Sequence, residues 1–175
     1  MNYKILNEYN LTEDEMDGVV VRVKAFVINS KNEIMLASSN GGVQLLGGHV
    51  EIGEEPVDTL KREMMEEAGI EIANHEISEP FYEVKHYTKN YFHSSKNIIA
   101  KIVYYIVRTD KVPNRNRVKL TKQEQNYDFH IQWIPFESFE KYVEGFLNSE
   151  KEVNRWIASE MLSAFCEVKS ISSMS

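Results

Sequence analysis

The stretch from Gly48 to Ile70, GHVEIGEEPVDTLKREMMEEAGI, constrains the fold of this chain more than any other. Pro56 suits a first helical turn, because its ring fixes φ and its missing N–H is one that turn does not use. Gly69 suits the position just past a helix end, where the backbone turns left-handed most easily without a Cβ. A helix over 56–68 follows. On that helix Glu63, Glu66 and Glu67 stand at i, i+3 and i+4 and share one face. Val57, Leu60, Met64 and Ala68 fall on a neighbouring face that can pack against a sheet. Arg62 lies one turn before Glu66 and can pair with it.

The segments around this helix are rich in strand formers. Residues 19–29 (VVVRVKAFVIN) are β-branched, with Arg22 and Lys24 spaced by two, as on one face of a strand. Ser30-Lys31-Asn32 reads as a hairpin turn and 33–38 (EIMLAS) as the returning strand. After the turn SSNGG comes the short apolar run Val43 to Leu46. Strands are expected near 77–87, 97–108 and 128–134, the last closed by Pro135, with a polar loop over 110–126. Short and long helices are expected near 137–145 and 149–167, with Val153, Trp156, Ile157, Leu162 and Phe165 as the apolar stripe of the second. No linker or repeat divides the 175 residues, enough for one core, so the expectation is a single α+β domain. Its layers would be α/β/α, with a mixed β-sheet between helices.

Three carboxylates on one helical face repel each other unless a cation neutralises them. Mg²⁺ and Mn²⁺ prefer oxygen ligands and usually share their shell with substrate phosphates. Gly47 and Gly48, just upstream, let the backbone approach a ligand closely. An acidic helix face is more often simply solvated, so the rest of the pattern has to decide. It resembles the Nudix box, G-x5-E-x7-R-E-U-x-E-E-x-G-U with U a bulky aliphatic residue. Gly48, Glu54, Arg62, Glu63, Met64, Glu66, Glu67, Gly69 and Ile70 meet every fixed position. A chance match of the seven Gly, Glu and Arg positions has a probability on the order of one in a million. The upstream hairpin, the LLGGHVEIGE run and the late Trp-Ile-Pro strand end extend the resemblance over about 18–145. The helix at about 149–167 is left as a family-variable extension.

That resemblance implies the Nudix fold and hydrolysis of a diphosphate by metal-activated water, with Mg²⁺ or Mn²⁺ as cofactor. It implies Glu66 and Glu67 as primary metal ligands and Glu63 as a third ligand or acid-base partner. The Gly48 carbonyl is the implied backbone ligand, and Arg62 holds a glutamate in place. Glu54 orients the loop or the helix start. Arg22, Gly48, His49 and Glu54 form the expected substrate end of the site. Arg22 can face the cleft and grip a phosphate bidentately, or be an ordinary exposed strand charge. The general base stays open; Glu124 is the leading residue outside the box, as base, extra ligand or plain solvated acid. His75, His86, His93 and His130 lack zinc-ligand spacing. Phe81, Tyr82, Tyr87, Tyr91 and Phe92, like Tyr104, Tyr105 and Trp133, read first as core and second as a stacking surface.

The expected partner is a small nucleotide-like molecule: a nucleoside diphosphate linked to another group, or a nucleoside triphosphate. A net charge of −7, from 27 acidic against 20 basic residues, argues against a nonspecific grip on nucleic acid. No apolar run is long enough to span a membrane. The polar start and the single Cys166 fit a cytoplasmic protein. Homodimerisation through 1–17 or the terminal helix is compatible with the sequence. Two other classes remain. A non-catalytic nucleotide-sensing domain of this fold would usually show a degraded box or a DNA-binding appendage. An isoprenoid diphosphate isomerase would want a cysteine at the site, and Cys166 lies in the terminal helix.

Overall fold

The computed structural model describes residues 1–91, 94–120 and 128–172. Its strands are β1 (Asn2–Leu6), β2 (Gly18–Ile28), β3 (Glu33–Ser39), β4 (Gly42–Gln44), β5 (Tyr82–Thr88), β6 (Ile98–Arg108) and β7 (His130–Pro135). Its α-helices are α1 (Pro56–Ala68), α2 (Phe136–Glu144) and α3 (Glu152–Ser172). The strands form one mixed sheet in the order β1-β5-β6-β2-β3-β4, with β7 also paired to β3. β2 runs parallel to β6 from Gly18 opposite Ile98 to Ile28 opposite Arg108. β2 turns antiparallel into β3 through the expected hairpin. There the Asn29 side chain accepts the Lys31 and Glu33 amides, and Asn32 takes φ of 58°.

Alternation along β2 assigns the layers. Val23, Ala25 and Val27 face α1 and pack with Leu60, Met64 and Ala68, the helix face expected from spacing. Phe26 and Ile28 face the other way, into a core with Phe139 of α2 and Ala158, Met161 and Phe165 of α3. The result is the expected α/β/α arrangement. It also puts Arg22 and Lys24, in phase with Phe26, on the α3 side of the sheet.

At the sheet edge β1 pairs in parallel with β5. Several boundaries differ from the sequence reading. The strand expected at 77–87 begins only at Tyr82. Pro80 has no N–H to give a ladder, and upstream Ile77 makes just an isolated bridge to Val107. α3 continues past 167 to Ser172, because Val168 extends its buried stripe. Val153, expected in that stripe, is exposed, and Asn154 is buried instead. The Asn154 amide donates to the Gly41 carbonyl at 3.2 Å, so its burial is compensated. Tyr82, Tyr87, Tyr104 and Tyr105 are buried. No helix among the described residues is long and apolar enough to cross a membrane.

Candidate active site

The site is built where the loop after β4 folds back on β2 and meets α1. Ala25 N–H donates to Leu46 O at 3.0 Å and Val23 N–H to Gly48 O at 2.9 Å, so 46–48 run beside β2 like a short extra strand. Gly47 sits between these bonds as a bulge, with φ of 125°, which favours glycine. A Cβ there would meet the Val23 carbonyl oxygen at 2.2 Å. Freed from the ladder, Gly47 turns both polar groups to the site. Its N–H donates to Glu67 Oε2 at 2.9 Å, and its carbonyl accepts the Lys24 ammonium at 2.5 Å. The Gly48 carbonyl, the expected backbone ligand, is engaged by Val23, whereas the Gly47 carbonyl points at charged groups.

Arg62 is the hub. Its five N–H donors all find acceptors. Nε and Nη2 hold the Glu54 carboxylate at 3.0 and 3.1 Å, and Nη1 reaches Glu63 Oε1 at 2.8 Å and Glu66 Oε2 at 3.1 Å. The remaining Nη2 bond goes to the His49 carbonyl at 3.0 Å. Glu54 also accepts from Thr59 Oγ1 at 2.7 Å and from the Glu51 amide at 3.2 Å. The Arg62 guanidinium is the main reason its carboxyl is held down at about 2. With these bonds Glu54 braces the loop against the helix.

Burial pushes the Glu63 carboxyl up from the usual range, partly offset by Arg62. The Gly48 position lies against it: a Cβ there would meet Glu63 Oε1 at 2.2 Å. Glu67 is buried, while Glu66 is more open. Although helical spacing puts all three on one face, among the described residues no three His, Cys, Asp or Glu side chains stand together as a metal-holding group. Their partners part them, with Glu63 and Glu66 drawn to Arg62 and Glu67 to Gly47. The donor set nonetheless suits a hard divalent cation, being carboxylates plus a backbone carbonyl. Lys24 already brings positive charge there. Burial pulls its ammonium's pKa down, and the charge of Glu67 pulls it back up.

On the α3 side, Arg22 Nε donates to His49 Nε2 at 3.1 Å and Nη2 to the Tyr91 hydroxyl at 3.0 Å. Desolvation, then the charges of Arg22 and Lys24, hold the His49 ring at about 4, below its ordinary range. The structure thus brings together Gly48, His49, Glu54, Arg62, Glu63, Glu66, Glu67 and Arg22. Glu124, like Phe92 and His93, lies outside the described residues. His75 and His130 lie away from this network, and His130 Nδ1 stands 2.9 Å from the Asp128 carbonyl. Lys24 and the Gly47 carbonyl were missed by the sequence reading, which named Tyr91 as core or a stacking surface and not as the partner of Arg22. The two-residue spacing of Arg22 and Lys24 on one strand face was the available signal for Lys24.

Comparison with known proteins agrees with this architecture. The MutT protein of Methanosarcina mazei Go1 superposes with a TM-score of 0.57 at 18% identity, over 86% of this chain and 95% of that one. An Ap4A hydrolase of C. elegans gives 0.54 at 17% identity, over 89% of this chain and 99% of that one. A MutT protein of Bacillus halodurans gives 0.51 at 16% identity, over 82% of each chain. No curated protein sequence matches significantly. At these identities the likeness shows a shared fold. The sequence model of the NUDIX domain matches residues 19–157, which takes in the whole loop–helix site and most of the sheet, and the chain therefore belongs to the NUDIX domain family.

Proposed function

We propose that the protein is a Mg²⁺- or Mn²⁺-dependent pyrophosphohydrolase acting on a nucleoside diphosphate linked to a second group, or on a nucleoside triphosphate. The observation that carries the reading is the Arg62-centred array. One guanidinium organises Glu54, Glu63, Glu66 and the His49 carbonyl beside a bulged glycine and a buried Glu67. Glu63, Glu66 and Glu67 would hold the cation. The backbone ligand is moved from Gly48 to Gly47, whose carbonyl is outside the ladder. A bound divalent ion would lower the pKa of water and neutralise charge building on the phosphoryl oxygens.

The chain's own residues divide the remaining work. Arg62 and Glu54 fix the helix and loop relative to each other, so that the residues which would hold the cation sit on one braced frame. Arg22 and Lys24 supply positive charge on the substrate side, offsetting the acids for an incoming anion. Glu63, bonded to Arg62 and lying against Gly48, is either the third ligand of the cation or the group that accepts a proton from the attacking water. His49 stays neutral at pH 7 and acts as an acceptor for Arg22.

The test is incubation with Mg²⁺ and a panel of nucleoside diphosphate conjugates and triphosphates, reading phosphate or nucleoside monophosphate released, with Glu66→Gln as control. Metal-dependent turnover lost in the variant is expected. Tight nucleotide binding with no turnover across the panel would overturn the reading in favour of a sensing domain.

A further inference from the structure

A second feature lies on the α3 side of the sheet, beyond Arg22. A cavity of about 380 Å³ opens between β5, β6 and the first turns of α3. Ala100, Ile102, Trp156 and Ile157 give it apolar walls. Two ionisable side chains reach it from opposite layers: His86 of β5 and Glu160 of α3, with Nδ1 and Oε1 3.3 Å apart and each side chain only 14% exposed. The His86 ring also meets Trp156 in a T-shaped contact, with centroids 5.6 Å apart, so sheet and helix brace each other there.

The mouth is joined to the box. Arg22 lines the cavity, bonds to His49 and to the Tyr91 hydroxyl, and the His49 carbonyl is held by Arg62. A diphosphate lying at the box carboxylates would therefore pass Arg22 and send one end of its substrate inward. Charge decides which end. Arg22 stands where the cavity meets the box through His49, while Glu152 and the little-exposed Glu160 line the cavity elsewhere, so a phosphate is favoured beside Arg22 and a neutral group beyond it. At 380 Å³ the space is near the lower bound of small-molecule sites, roughly 300–1000 Å³. It suits one flat ring system with its sugar and not two. Apolar walls, an indole and a few polar groups are what holds an unstacked nucleobase.

We propose that this cavity is the nucleobase site of the substrate, and that Glu160, braced by His86, selects a base presenting two adjacent N–H donors, as guanine does. A carboxylate only accepts, and it has several lone-pair positions for neighbouring donors. Guanine offers a ring N–H beside an amino group on one edge. Adenine and cytosine place a ring acceptor beside their amino group, which the carboxylate repels, and uracil flanks its single N–H with two carbonyls. Thr88 and Asn90 also line the cavity, and their hydroxyl and amide are the kinds of group that can donate to a guanine carbonyl. A site that hydrogen-bonds one such edge rejects analogues lacking it, because its own buried polar groups are then left unpaired. The placement of the phosphates rests on the hydrolase reading; the selectivity of the cavity does not.

The test separates the two. Metal-free protein in chelator is titrated with GMP, AMP, UMP and CMP by calorimetry. The wild type, Glu160→Gln and Trp156→Leu are compared after circular dichroism confirms their folding. The wild type should bind GMP at least about tenfold more tightly than the others. Glu160→Gln should weaken GMP about 10- to 100-fold and leave the others within about threefold. Trp156→Leu should weaken all four alike. Equal binding of the four by the wild type, no binding of any, or a guanine preference retained in Glu160→Gln would each overturn the proposal. Metal-dependent turnover without base preference would sink the cavity assignment and leave hydrolysis standing. Guanine-selective binding without turnover of any triphosphate would do the reverse.

Discussion

Replacing Glu54 by Gln tests whether the Arg62 array is held by charge. The substitution keeps the shape, removes the charge, and turns an amide N–H₂ towards Arg62. Two Arg62 bonds at 3.0 and 3.1 Å are affected, together with those from Thr59 and the Glu51 amide. The Arg62 and Glu54 side chains are 26% and 18% exposed. The pair therefore belongs between exposed ion pairs, worth about 1 kcal/mol or less, and buried ones, whose breaking costs about 3–5 kcal/mol. A loss of about 2 kcal/mol is expected, which for a domain of this size lowers the melting temperature by about 4–8 °C. The pH dependence has a definite sign. The carboxyl is held at about 2 in the fold against an ordinary 4.5, so its stabilisation is complete above pH 4.5 and fades as pH falls towards 2. Gln does not titrate, so the gap between the proteins should close through that window. The assay is thermal unfolding by circular dichroism from pH 7 down to pH 3. A gap under about 1 °C at pH 7, or one that stays constant to pH 3, would refute the reasoning.

The two glycines should respond differently. Gly47→Ala combines a positive φ with backbone contact at 2.2 Å and should cost about 3 kcal/mol or more in urea unfolding. Gly48→Ala presses only on the end of the Glu63 side chain; stability should change by about 1 kcal/mol or less while turnover falls about 10- to 100-fold. Lys24→Met removes the ammonium bonded to the Leu45 and Gly47 carbonyls. Its melting temperature should drop below the wild type in chelator, and Mg²⁺ should narrow that gap. For His49, an NMR titration should give a midpoint well below 6.5, towards 4. With fewer protons bound in the fold than in the unfolded chain, its contribution makes stability rise with pH across that window.

The helix and its sheet-facing side were legible because Pro56, Gly69 and the spacing of Leu60, Met64 and Ala68 are local signals. Alternation in β2 likewise foretold a strand with Arg22 and Lys24 on one face. Other features depend on partners distant in sequence. The edge position of β1 is set by β5, about 80 residues away. Helical spacing put Glu63, Glu66 and Glu67 on one face but could not say that Arg62 and Gly47 would draw their carboxylates apart. The choice between the Gly47 and Gly48 carbonyls turns on a bulge against β2, which no spacing within the box encodes. His86 and Glu160 carry no motif and meet only because α3 crosses β5.

The most direct test of the central claim joins metal binding to chemistry on one residue. Mn²⁺ binding by electron paramagnetic resonance and Mg²⁺-dependent hydrolysis of nucleoside triphosphates would be measured for the wild type and Glu67→Gln. The account predicts that the wild type binds the ion and hydrolyses substrate only in its presence, and that the variant loses both while remaining folded. Hydrolysis that persists in excess chelator, or survives unchanged in Glu67→Gln, would contradict it.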